Sequence, residues 1–191
     1  MFNIVLHEPE KPDNTGNIGR TCVAAGCSLH LIYPIGFRLT RSNIHHAGLD
    51  YWERLKLYKH DNYEAFKKYF TSLCRGNPTP SRRGEHCEPT ASRRVNPTLW
   101  FATTKAHKSY TDVKFKDGDF IMFGKESAGI PEEILRDDEE HAIRIPMIEN
   151  ERSLNLSNSV AIILYEALRQ NNFLNLIKKG DLHRLTYRQI D

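Results

Sequence analysis

The sequence predicts an α/β domain built on a mostly parallel sheet. Short β-like runs alternate with helix-length stretches along the whole chain. One of those runs, "TLWFATT" (98–104), reads as a buried strand. Polar loops follow the strands, and in open parallel sheets ligands bind beyond the carboxyl ends. A chain of 191 residues suits a single domain with a proper core.

The elements follow in order. "NIVLHE" (3–8) reads as a strand, and "PDNTGN" after it is dense in turn and cap residues. "IGRTCVAAG" (18–26) reads as a helix, with Ile18, Cys22 and Ala25 at helical spacing and Gly26 closing it. "SLHLIYP" (28–34) is a strand stopped by Pro34, "SNIHHAG" (42–48) a short helix, and "LKLYKH" (55–60) another strand. "DNYE" (61–64) has capping-box character, with Asp61 as the cap and Glu64 three residues on. Phe66, Phe70 and Leu73 extend that helix along one face.

Residues 74–98 lose all periodicity and read as a surface insertion. "KDGDFIMFG" (116–124) is then a turn and strand, and "IPEEIL" (130–135) a short helix with Pro131 in its first turn. "AIRIPM" (142–147) is a strand, and a closing helix covers roughly 157–171. The expected organisation is one domain over 1–171, with the insertion at about 74–98, and a basic tail over 172–191.

Composition narrows the function classes. A net charge of +3 permits an anionic partner without demanding one. The basic stretches at 74–97 and 176–189 suit either nucleic acid or plain solvation. No secretory leader or membrane-length apolar run is visible, so no membrane partner is expected. Cys22 and Cys27 read as small buried residues. Cys74, His86 and Cys87 lack a fourth ligand, so no metal is expected. Reduced thiols in a cytoplasm are the expectation.

Three loops carry the candidate chemistry. In "EPEKPDNTGNIGR" (8–20), Asn14 and Asn17 are suited to cap a helix start, and Arg20 is either a surface arginine or an anion clamp. In "FGKESAGIP" (123–131), Gly124 and Gly129 permit tight turns. Glu126 between them is a solvated carboxylate, a partner of Arg20, or an acceptor of backbone N–H bonds. The third stretch, "RSLNLSNSVAIILYE" (152–166), places Ser153, Asn155, Ser157, Asn158 and Ser159 at the mouth of an apolar helix. One cap normally suffices there, so the excess is a candidate polar ligand site.

"NTGNIGR", "FGKESAGIP" and "RSLNLSNSVAIILYE" resemble, in order and spacing, the three signature motifs of the SPOUT class of RNA methyltransferases, 2′-O (SpoU) branch. "NIVLHEPEKPDNTGNIGR" and "AGLDYW" (47–52) are similar to the TrmL group, its small single-domain members. The resemblance implies a SPOUT fold, an α/β sheet whose C-terminal part forms a deep trefoil knot. It also implies a homodimer and methylation of the ribose 2′-hydroxyl at the wobble position of tRNA, in the anticodon loop.

The implied cofactor is S-adenosyl-L-methionine. The positions matching its pocket are Ala102, Thr103, Gly124, Ile145, Met147, Ser153 and Leu154, with Asn155 beside them. Arg20 matches the motif-one arginine. A guanidinium is effectively never deprotonated, so the expectation is that Arg20 binds RNA phosphate or steadies the developing alkoxide. Asn14 is expected to hold the first motif and Glu126 the second, while Ser153 and Asn155 line the methyl-donor pocket. Tyr165 matches a position linked to activity, although a core aromatic is the favoured reading of its helix. That helix is apolar all round at 160–164, so a sheet on one side and a second subunit on the other are expected to cover it.

RNA is expected to meet Arg20, Arg38, Arg41, Lys105, Arg144 and Arg152, while His45 and His46 stand where relatives carry arginines. The alternatives are the same chemistry on another tRNA site or on ribosomal RNA, and a non-catalytic RNA-binding protein on the same fold. A nucleotide-dependent dehydrogenase is disfavoured by the missing G-x-G-x-x-G.

Overall fold

The computed structural model describes residues 1–39, 51–75, 96–182 and 184. The expected helix at 42–48, most of the 74–98 insertion, Arg41, His45, His46, His86, Cys87 and the end of the tail lie outside the described residues.

The strands are β1 (Asn3–His7), β2 (Ser28–Ile32), β3 (Lys56–His60), β4 (Leu99–Ala102), β5 (Lys108–Ser109), β6 (Phe120–Phe123) and β7 (Ala142–Arg144). The helices are α1 (Pro12–Ala25), α2 (Tyr63–Cys74), α3 (Glu132–Arg136) and α4 (Leu156–Gln170). All seven strands pair in parallel, in the order β3-β2-β1-β6-β4-β7-β5. The parallel α/β architecture is therefore as the alternation predicts. Two-residue β5 gives no periodic signal and was not legible.

Side-chain alternation sorts the sheet into two cores. Ile4, Leu6, Leu29, Leu31, Ile121 and Phe123 join residues of α1 and α4 on one face. Val5, Ile32, Phe120 and Met122 join Phe66 of α2 on the other. No helix is long and apolar enough to cross a membrane among the described residues.

Three local readings are corrected. α1 begins at Pro12, not near Ile18, so "NTGNIGR" is helix rather than loop. Proline is favoured at a helix start, and Gly19 lets Trp52 and Leu55 pack closely on α1. Neither Asn14 nor Asn17 caps it: the N-cap is Lys11, with no side-chain bond, while Gly26 closes it at φ 67 as expected. In α2 the cap is Asn62, whose oxygen takes the Ala65 N–H at 2.8 Å, because Asn62 and not Asp61 holds the extended conformation next to the first turn.

The third correction concerns α4. Val160, Ile163, Leu164, Ala167 and Leu168 are buried, but Ile162 and Tyr165 are 37% and 46% exposed. Within one chain Tyr165 is not a core aromatic, because α4 lays only one face on the sheet and α1. Beyond α4, Phe173 and Leu176 pack against the core.

Asp119 ties the strand starts together. Its fully buried carboxylate accepts the N–H of Thr98 at 2.8 Å, that of Lys116 at 2.9 Å and the Trp100 indole N–H at 3.0 Å. Asp119→Asn keeps the shape but turns an NH2 toward these donors. It is expected to destabilise the chain by about 2–4 kcal/mol, read as a lower denaturant midpoint.

Two buried histidines set an acid limit. His30 Nδ1 lies 3.1 Å from His60 Nε2, beneath α2, and stacks on Tyr58. Burial, helped by His60, pushes His30 down to about 3, and burial lowers His60 as well. Both rings are neutral in the folded chain, whereas the unfolded chain protonates them below about pH 6.5. Stability is thus full above that pH. It is expected to fall as pH drops toward the folded values, by up to about 1.4 kcal/mol per unit for each ring. Urea midpoints measured from pH 7.5 to 4.5 check this, and His30→Phe should flatten the slope.

Candidate active site

The chain runs from β1 outward to β3, then returns across β1 to build the other half of the sheet. The carboxyl ends of β4, β6 and β7 meet there, where ligands bind in open parallel sheets. A cavity of about 440 Å³ opens at this point. Its walls are Ala102–Lys105 after β4, Phe123–Gly129 after β6, Ile143, Ile145 and Met147 around β7, and Arg152–Leu156 leading into α4. Lys11 and Asn14 close it from α1.

Glu126 organises the site. Its carboxylate accepts the backbone N–H of Glu10 at 2.9 Å and of Lys11 at 3.3 Å, and the Asn14 side-chain amide at 2.9 Å. It therefore anchors the chain entering α1 and sets a negative charge at the positive end of that helix. Of the three readings of Glu126, the acceptor of backbone N–H bonds is the observed one, and Arg20 is not among its donors.

Asn14, 7% exposed, is the middle link. It donates to Glu126, and its oxygen accepts the Asn155 amide at 3.0 Å. Asn155 in turn caps α4, taking the N–H of Ser157 at 2.9 Å and of Asn158 at 3.4 Å. The Ser157 hydroxyl also donates to the Asn155 side chain, and the Ser159 hydroxyl to its carbonyl. Much of the polar excess at the mouth of α4 is thus cap chemistry. Ser153, Leu154, Asn155 and Ser159 face the cavity as well.

Gly124 fixes the floor. A Cβ there would lie 1.9 Å from the carbonyl carbon of Gly129 and 2.1 Å from the nitrogen of Ile130. The 125–129 turn folds back this closely because Gly129 N–H bonds to Lys125 O at 2.8 Å and Gly129 holds φ 72.

The structure thus gathers Asn14, Ala102, Thr103, Gly124, Glu126, Ile145, Met147, Ser153, Leu154 and Asn155 around one cavity. Arg20 and Tyr165 do not line it. Arg20 is exposed on α1, about 9 Å along the axis from Asn14 and about 120° around it. Of the expected RNA-facing cations, Arg152 is exposed at the cavity, Lys105 is paired with Glu132, and Arg144 is half-buried on β7. Lys11, Thr104, Lys125 and Ser127 also line the site without having been singled out, although each follows a strand end. Among the described residues no cluster of three or more His, Cys, Asp or Glu side chains suits a metal ion.

Known proteins share this architecture. A tRNA (cytidine(34)-2′-O)-methyltransferase of Methylovorus glucosotrophus is 42% identical over 93% of this chain and 100% of its own length. One of Escherichia coli K12 is 41% identical over 89% and 94%. A solved structure bearing on the 2-OH methylation of C/U34 on tRNA aligns at TM-score 0.72 with 35% identity, over 90% of this chain and 97% of that one. The SpoU methyltransferase AviRb from Streptomyces viridochromogenes, in complex with AdoMet, shares the fold at TM-score 0.69 with 18% identity. The SpoU rRNA Methylase family model matches residues 1–75 and 85–165, which hold all three loops around the cavity, and the chain belongs to that family.

Proposed function

We propose that this protein methylates the ribose 2′-hydroxyl of the wobble nucleotide of tRNA, a cytidine or uridine derivative at position 34, using S-adenosyl-L-methionine. The observation that carries it is the Glu126–Asn14–Asn155 junction, which closes three separate chain segments around one cavity. The relatives that match nearly the whole chain carry that activity in their names.

The cavity suits the cofactor. Its volume lies in the usual range for small-molecule sites, roughly 300–1,000 Å³. Ala102, Ile143, Ile145, Met147, Leu154 and Ile163 offer apolar surface for a purine, and Thr103, Ser153 and Asn155 offer hydrogen-bonding groups for polar edges. Bound there, S-adenosylmethionine supplies a methyl group already activated on a sulfonium. The residues around it hold it in line for attack and keep bulk water from the transfer. We read Arg20, which lies outside the cavity, as the group that holds an RNA phosphate or stabilises the negative charge that grows on the 2′-oxygen.

The exposed Ile162 and Tyr165 on α4 support a homodimer, whose second subunit covers that face. The position of β6 between β1 and β4, with α4 returned onto α1, is consistent with the deep trefoil knot of the class. A cytoplasmic location agrees with a tRNA substrate and free thiols at Cys22, Cys27 and Cys74. The chain is read as one domain over 1–171 followed by a basic tail over 172–191, whose first turn packs Phe173 and Leu176 back on the core.

Calorimetric titration with S-adenosylmethionine tests the cavity, and sedimentation tests the dimer. One binding event per chain, and a mass twice the 22.1 kDa chain, are expected. Binding of a nicotinamide dinucleotide in its place would reject the reading.

A further inference from the structure

Two carboxylates just ahead of α1, Glu8 and Glu10, have no part in the assignments above. Both reach across to the turn after β6. The Glu10 carboxylate accepts the Ser127 backbone N–H at 2.9 Å and the Ser127 hydroxyl at 2.7 Å. Glu8 takes the Lys125 ammonium at 3.1 Å, and holds a left-handed backbone at φ 50 that an L-residue adopts only under local constraint. In the opposite direction, the Glu10 N–H is held by Glu126.

We propose that Glu10 is a positioning residue for the cavity: paired with Ser127, and held through its own N–H by Glu126, it latches the 125–129 turn against the start of α1 so that both walls stand in the ligand-binding arrangement. The chemistry supports it. Charge-assisted bonds to one residue's N–H and hydroxyl fix both the position and the orientation of Ser127. The turn has little else at its tip, since Ser127 and Ala128 are exposed. Glu126 and the Gly129–Lys125 bond hold the rest of the turn, so the Ser127–Ala128 tip is the part that depends on Glu10. Lys125, Ser127 and Gly129 all line the cavity, and a tip released from Glu10 would add conformations that the ligand must then exclude.

The inference rests on the cavity being the S-adenosylmethionine site. The test uses the full chain, with donor affinity by calorimetry, steady-state kinetics on tRNA and thermal melting. Glu10→Ala is expected to raise both the Kd and the KM for S-adenosylmethionine about tenfold, with kcat at saturating donor and Tm nearly unchanged. Glu10→Gln, which keeps one acceptor oxygen, should recover part of the loss. Ser127→Ala, which keeps the N–H bond, should be milder, and adding it to Glu10→Ala should cost nothing more. A donor affinity unchanged in Glu10→Ala overturns the proposal, and so does a fall in Tm that Glu10→Gln reverses without any change in KM. A wild-type chain that binds no donor overturns the cavity reading itself, whereas wild-type and variant binding alike overturns only the role of Glu10.

Discussion

Arg20→Ala is expected to lower kcat for methyl transfer by about 10²–10³ while leaving donor affinity and stability unchanged. The separation follows from where Arg20 sits. It is exposed on α1 and outside the cavity wall, so its loss removes no contact from a ligand held there. Exposed substitutions away from caps and buried networks usually shift stability by no more than about 0.5 kcal/mol. On the proposed reading, what is lost is a positive charge for the RNA. Arg20→Lys restores the charge without the planar fork. It should recover only part of the rate if the arginine grips phosphate oxygens in a bidentate way. Single-turnover kinetics at saturating donor, with a parallel calorimetric titration, check this. Weakened donor binding in Arg20→Ala would place the arginine at the cofactor instead.

Gly124→Ala is expected to weaken S-adenosylmethionine binding on the order of 10²-fold and to lower Tm, the cost of an overpacked backbone contact. The added Cβ would fall 1.9 Å from Gly129 and 2.4 Å from its carbonyl oxygen. Both are backbone atoms, so no rotamer change relieves the clash. The 125–129 turn must move, and with it Glu126, which anchors the entry to α1 and holds Asn14. A single methyl group is therefore transmitted to both walls of the cavity. Gly180→Ala, in open space, serves as the neutral control. Calorimetry on the two variants separates a local steric effect from a general loss of fold.

How far the sequence revealed these features depended on their range. Parallel architecture, the Gly26 close of α1 and the loops that hold the site all rest on local pattern, and all were legible. The start of α1 was not. Gly16 and Gly19 resemble breakers in a one-dimensional reading, yet both are buried inside α1. A Cβ on Gly19 would meet the Trp52 ring at 3.0 Å, and Tyr51 donates its hydroxyl to Gly16 O at 2.9 Å. The role of Glu126 is not legible in the sequence for a related reason: its partners lie 112–116 positions away, and no periodicity links them.

The polar run before α4 was legible as an excess over what a cap needs. Its division between capping and cavity lining depended on the Asn155–Asn14 bond. Tyr165 shows the reverse problem. An apolar helix reads as buried on all sides, but the single chain supplies cover for only one.

The most direct measurement is transfer of a labelled methyl group from S-adenosylmethionine to total tRNA that lacks the modification, with mass spectrometry to locate the product. The account predicts a 2′-O-methylpyrimidine at the wobble position. A methyl group on a base, or no transfer by a chain that binds the donor, would contradict it.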